Sequence, residues 1–190
     1  DTTAPVITLT GDATLNHEQG TTYTDAGATV TDTVDTSIEV VTAGTVDTAT
    51  AGTYTLSYTA TDAAGNAATA VTRTVTVGDT TAPVITLTGD ATLNHEQGTT
   101  YTDAGASAAD TVDTSVDVVT AGTVDSDTAG TYTLTYTATD ASGNAATAVT
   151  RTVTVGDTTA PVITLTGDAT LNHEQGTTYT DAGASAADTV

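Results

Sequence analysis

The stretch Thr53-Tyr54-Thr55-Leu56-Ser57-Tyr58-Thr59-Ala60-Thr61 decides the fold. Its even positions carry Tyr54, Leu56, Tyr58 and Ala60, and its odd positions carry hydroxyl side chains. A period of two places these sets on opposite faces of an extended chain, the pattern of an antiparallel strand with one buried face. Downstream, Val71-Thr72-Arg73-Thr74-Val75-Thr76-Val77 alternates in the same way. Between the two lies Asp62-Ala63-Ala64-Gly65-Asn66, a compact hairpin loop with Gly and Asn available for positive φ. Upstream, Val6-Ile7-Thr8-Leu9 follows Pro5, Gly11-Asp12 is expected to turn the chain, and residues 13–17 to return. Further strands are expected from about Thr22 and over 38–42, with a short edge segment at 45–47. No run holds a 3.6-residue period for more than two turns. Six or seven short strands with turns about every 8–12 residues predict an all-β sandwich. Arg73 shares parity with Val71, Val75 and Val77, so its stem is expected to pack and its guanidinium to meet a carboxylate or bare carbonyls.

This unit recurs. Residues 1–78 return as 79–156 with nine differences, among them Ile38 against Val116 and Ala49 against Asp127. Residues 157–190 repeat 79–112 at every position. The organisation expected is therefore repeat 1 at 1–78, repeat 2 at 79–156 and the opening of a third at 157–190, in an extended tandem array. Strand lengths suggest a spacing of roughly 35–45 Å between modules. Thirty-four residues cannot close a two-layer core alone, and the third copy stops inside a module. It is expected to complete itself with strands from later in a longer chain or from another subunit, since its open edge would otherwise invite aggregation.

Composition narrows the function. There are 24 acidic residues against two arginines and no lysine, a formal net charge of −22 spread over every repeat. Without a cationic footprint, nucleic acid is excluded as a partner and an anionic membrane surface is disfavoured. Divalent cations are the natural partners; the alternative is an acidic face that is merely solvated. There is no cysteine, hence neither a disulfide framework nor a thiolate zinc site. The missing lysine also rules out intramolecular Lys–Asn isopeptide crosslinks. No segment approaches 18 consecutive apolar residues, so direct membrane insertion is not expected. Threonine makes up roughly a third of each module, which its preference for strands explains.

The run DTTAPVITLTGDATLNHEQGTTYTDAGA, followed by AGTYTLSYTATDAAGNAATAVTRTVTV, resembles the bacterial immunoglobulin-like tandem repeat family, Cry22-type or DUF5011-like, related in style to hyaline repeats. The resemblance covers both full modules and the opening of the third. It implies tandem modules of large secreted or cell-surface bacterial proteins, acting as spacers or stalks for an adhesive or enzymatic unit elsewhere. It carries no catalytic motif. The loop that usually reads close to D-N-x-D-G is here Asp32-Thr33-Val34-Asp35-Thr36 and Asp110-Thr111-Val112-Asp113-Thr114, without the Asn and Gly.

The acids recur at fixed places. Asp79 lies in the short linker Val77-Gly78-Asp79-Thr80-Thr81-Ala82-Pro83, stiffened at its exit by Pro83. An immunoglobulin-like strand order puts it beside the loop carrying Asp140 and Asn144, near the turn at His95-Glu96-Gln97. Asp32 and Asp35 are expected to approach from the opposite end of the preceding module. This oxygen-only set, Asp79, Asp140, Asn144, Asp32 and Asp35, suits Ca²⁺ at module junctions. The competing reading is that Asp62 and Asn66, like Asp140 and Asn144, only brace their own turn. His17, His95 and His173, one per module beside a Glu, make a poor zinc or copper signal and are expected to cap strand edges.

An enzyme is not expected, because near-identical repeats offer no single asymmetric site and no deep cleft. The leading expectation is a structural spacer, stalk or fibre module, extracellular or at the bacterial cell surface and related to adhesion. Its partners would be neighbouring modules of the same or an adjacent chain, with cell-surface or matrix components. Two alternatives stand beside it: a glycan- or protein-binding immunoglobulin-like module, and a repeating subunit of a filament assembled from separate chains.

Overall fold

The computed structural model describes residues 1–188 and 190, with the chain packed into two units. The first comprises Asp1–Val84, Ala109–Val116 and Thr139–Ala146; the second comprises Ile85–Ala108, Asp117–Ala138 and Thr147–Val190. The strands in chain order are β1 (Val6–Leu9), β2 (Thr14–Glu18), β3 (Ala28–Thr31), β4 (Val41–Ala43), β5 (Gly52–Thr59) and β6 (Val71–Gly78). They recur as β7 (Val84–Leu87), β8 (Thr92–Glu96), β9 (Ala106–Ala109), β10 (Val118–Ala121), β11 (Gly130–Ala138) and β12 (Val149–Gly156). β13 (Val162–Leu165) and β14 (Ala184–Ala187) open a third set. No helix of the described residues is long and apolar enough to cross a membrane.

In the first repeat β1 pairs antiparallel with β3, while β2-β6-β5-β4 form a second, four-stranded sheet. The alternation of the 53–61 stretch holds. Leu56, Tyr58 and Ala60 are buried, and Ile7 of β1 meets them from the other sheet. β6 lies antiparallel to β5 with Leu56 opposite Arg73 and Tyr54 opposite Val75, so Val75, Val77 and Arg73 share the inner face. Strands too short to stand alone are thus held by one shared apolar layer. The second repeat repeats this topology, with β7-β9 and β10-β11-β12-β8.

Three local expectations are corrected. Gly11-Asp12 does not make a hairpin: after it the chain crosses to the other sheet, and β2 runs parallel to β6 with Leu15 opposite Val75. The strand expected from Thr22 begins at Ala28, because Tyr23-Thr24-Asp25-Ala26-Gly27 carries the carboxylate that Arg73 needs before pairing with β1 can start. The stretch 38–42 contributes only its end to β4, and 45–47 forms no strand. Gly44, at φ 98°, is required in this segment, since a Cβ there would lie 2.4 Å from the Thr55 carbonyl oxygen.

Candidate functional site

The most buried polar group in each repeat is its arginine. Arg73 is 1 % exposed, and its donors are all engaged. Nε donates to the Asp12 carbonyl at 2.9 Å, one terminal nitrogen to the carbonyls of Thr10 and Gly27, and the other to Asp25 and the Tyr58 hydroxyl. Tyr58 in turn donates to Asp25 at 2.8 Å. Burial works to raise the Asp25 carboxyl, but the bonds from Tyr58 and Arg73 outweigh it and hold the group below its usual range. Burial, together with the bond it gives Asp25, pushes Tyr58 up to about 12. Arg151, Asp103 and Tyr136 repeat the arrangement. The arginine therefore ties the β1–β2 crossing and the entry to β3 onto β6, and it has no donor left for a ligand.

The aspartates gather in two equivalent clusters. Asp1, Asp32 and Asp62 each offer a carboxylate oxygen within 4.8 Å of the others, and so do Asp79, Asp110 and Asp140. In the second cluster Asp110 Oδ1 accepts from the backbone of Val112 and Asp113, and Asp79 Oδ1 from Thr81. The remaining oxygens, Asp79 Oδ2 and Asp110 Oδ2, are buried without a hydrogen-bond partner. Asp140 is bound on both oxygens by Asn144, through its backbone NH at 2.7 Å and its amide at 2.8 Å. Burial first, then the neighbouring charges of Asp140 and Asp110, push the Asp79 carboxyl up despite the Thr81 bond. For Asp140 burial acts upward, and the Asn144 bonds outweigh it and lower the group. Three converging carboxylates with two unpartnered buried oxygens and no nitrogen or sulfur ligand fit a hard divalent cation.

Of the residues singled out from sequence, Asp79 and Asp140 come together. Asn144 stands beside them, its amide donating to the Asp79 carbonyl at 3.3 Å. Asp32 joins the other cluster, with Asp1 and Asp62, and Asp35 accepts the backbone NH of Ala63 at 2.9 Å. Asp110 was missed. The signal for it lay in the pairing of the first and third strands: with Val6 opposite Thr31, the residue after β3 must lie beside the start of β1. It therefore meets its own repeat's entry. Glu18, too, was not foreseen. Its carboxylate accepts the Thr80 backbone NH at 2.8 Å and the Thr80 hydroxyl, and that hydroxyl bond is the main cause of its lowered pKa.

The family described as "Bacterial surface protein, Ig-like domain" matches residues 7–77 and 85–155. The chain belongs to this family. A lipoprotein of Bacteroides thetaiotaomicron is 33 % identical over 41 % of this chain and 39 % of its own, with a TM-score of 0.34. This chain thus spans about two fifths of that lipoprotein's length. The fibronectin(III)-like modules of CbhA from Clostridium thermocellum are 17 % identical over 80 % of this chain and 94 % of theirs, at a TM-score of 0.34. Drosophila N-cadherin EC1-3 is 14 % identical over 82 % of this chain and 68 % of its own, at 0.31. No curated protein matches.

Membership sets the module among non-catalytic Ig-like domains of the bacterial exterior. A hollow of about 260 Å³ beside Arg73 is lined by Thr10, Leu15, His17 and Tyr23 among others. Its histidine is held structurally: His17 Nε2 lies 3.1 Å from the Thr21 hydroxyl, and the ring meets Tyr23 edge-on at 5.2 Å. The arginine at its wall has its donors engaged by the fold.

Proposed function

We propose that the chain is a spacer of a larger bacterial surface protein, built from folding repeats 1–78 and 79–156 and the opening of a third, in which calcium braces the segment between repeats. Adjacent modules, and surface or matrix components, are its partners. The observation that carries this reading is that the connecting segment is tied on both sides. Thr80 is bonded to Glu18 of repeat 1, while the Asp79 carbonyl accepts from Asn144 of repeat 2. The first tie recurs at Thr158 and Glu96, at 2.8 Å.

Asp79, Asp110 and Asp140 would hold the ion, which supplies positive charge to offset their repulsion. The test is calorimetry on the full chain in millimolar calcium and in chelator at fixed ionic strength. Calcium should raise the melting temperature by mass action, and Asp79→Ala should remove the share of the rise that the equivalent Asp1, Asp32 and Asp62 cluster does not supply. An unchanged melting temperature rejects the site. Equal stabilisation of the variant would mean diffuse screening and would reject the assignment to Asp79.

A further inference from the structure

The differences between the two full repeats gather in one strand and act mainly in one direction. β3 reads Ala28-Thr29-Val30-Thr31, whereas its counterpart β9 reads Ala106-Ser107-Ala108-Ala109. Three successive β-branched residues thus give way to Ser and Ala, which fit a pleated, half-buried strand less well. Val30 is half-buried, stands opposite the buried Ile7 and packs on the core of Leu56, Tyr58 and Ala60. Ile38 packs on the same core, and its counterpart is Val116. The core around them is otherwise unchanged: Ile85, Leu134, Tyr136 and Ala138 are buried as Ile7, Leu56, Tyr58 and Ala60 are. Repeat 2 therefore lacks the γ-methyls of a valine at Ala108 and the δ-methyl of an isoleucine at Val116, and no neighbour is enlarged to fill the space. Asp127, in place of Ala49, adds a carboxylate close in sequence to Asp125. Two features act the other way. Thr135 replaces Ser57 on the outer face of β11, and β10 pairs with β11 over one residue more than β4 with β5. Neither restores the lost apolar burial.

We propose that repeat 2 is a yielding module: under denaturant, heat or pulling force it opens before repeat 1, and releases roughly 250 Å of extended chain while repeat 1 stays folded. The cause is a smaller apolar core behind a weaker strand. The polar framework is not the cause, because Arg151, Asp103 and Tyr136 repeat the bonds of Arg73, Asp25 and Tyr58. Lost methyls reduce burial in proportion to their area, and the space they leave adds to the loss. At half-buried positions, together with the weaker β9, this shifts the unfolding equilibrium by about tenfold to a hundredfold. A spacer whose modules differ in this way lengthens in a set order, whereas identical modules would have none. The grading lies in apolar packing and needs no bound cation.

The chain carries its own reporter. Trypsin can cut it only after Arg73 and Arg151, since there is no lysine. Both arginines are 1 % exposed and sit mid-strand in β6 and β12, so each cut requires its own repeat to open. Residues 65–83 and 143–161 are identical, so the two sites are equally good once exposed and the ratio of rates reads the ratio of opening. The test digests the full chain with trypsin in chelator and mild urea, and follows the first cut by mass spectrometry. Fragments 1–151 and 152–190 should appear about tenfold or more faster than 1–73 and 74–190. Giving repeat 2 the residues of repeat 1, by Ser107→Thr/Ala108→Val/Ala109→Thr/Val116→Ile, should bring the two rates together. Val30→Ala/Ile38→Val in repeat 1 should speed the Arg73 cut towards the Arg151 rate. Equal rates in the unaltered chain, or a first cut at Arg73, overturn the proposal. So does a preference for Arg151 that survives the four-residue exchange, because the cause would then be the module's place in the chain and not β9 and the core beneath it.

Discussion

Replacing Arg73 by Met tests what the buried arginine is for. If it serves only as half of an ion pair, removing both charges should be nearly neutral, because desolvation offsets much of the attraction in such pairs. The structure argues otherwise. Arg73 also satisfies the carbonyls of Thr10 and Asp12, and it shares the Gly27 carbonyl with the Thr10 backbone NH. Arg73→Met alone should destabilise the first repeat by about 3–5 kcal/mol, the usual consequence of breaking a buried pair. In the double variant Asp25→Leu/Arg73→Met, the Thr10 and Asp12 carbonyls remain unpaired at about 1 kcal/mol or more each, so about 2 kcal/mol should still be missing. A domain of this size holds about 4–12 kcal/mol in total, so either loss removes a large share. Urea unfolding followed by circular dichroism and tyrosine fluorescence measures it, and repeat 2, with Arg151 intact, is the internal reference. A double variant that regains wild-type stability, or an Arg73→Met loss below about 1 kcal/mol, would refute the carbonyl-anchoring argument.

The same network sets an acid limit. Asp25 and Asp103 are lowered in the fold, so their stabilisation is complete above the unfolded carboxylate pKa and is lost as pH falls through the folded value; the urea midpoint should drop steeply below about pH 4 and stay flat above it. Asp79 has the opposite sign: its raised carboxyl opposes folding once ionised, so calcium binding should weaken as pH falls and Asp79 protonates, which calcium titrations at pH 7 and pH 4 will show. Tyr58→Phe removes the donor that lowers Asp25 and should destabilise by about 1–2 kcal/mol, read in the same unfolding assay. Gly44→Ala should be far more damaging than Gly65→Ala. Both have positive φ, but only at Gly44 would the Cβ strike backbone, 2.4 Å from Thr55 O; thermal melts of the two variants decide it.

The run of short strands, clearest at residues 53–61 and 71–77, was enough to predict the sandwich, because a strand's side-chain period is a local property that burial on one face writes into consecutive residues. The inward arginine was legible for the same reason: its parity matched Val75 and Val77, and no side chain of that charge can be buried without acceptors. The repeat length and the module count were arithmetic on the chain. Which strands pair was not legible. Gly11-Asp12 reads as a hairpin turn, yet the chain changes sheets there, since the edge of β6 offers Thr14–Glu18 a full set of backbone partners and Arg73 locks the crossing through the Asp12 and Thr10 carbonyls. The aspartate cluster followed from that topology. Asp79 and Asp140 could be placed from strand order, whereas Asp110 required knowing that β3 runs back along β1, a pairing that recurs between β9 and β7 and brings an aspartate 31 residues away in sequence to the module's entry. Residues 157–190 make the division plain. Their sequence is that of 79–112, but whether Thr170–Glu174 becomes a strand and Ile163 becomes core depends on a sheet that those residues do not encode, because backbone hydrogen bonds and apolar burial both require a second surface.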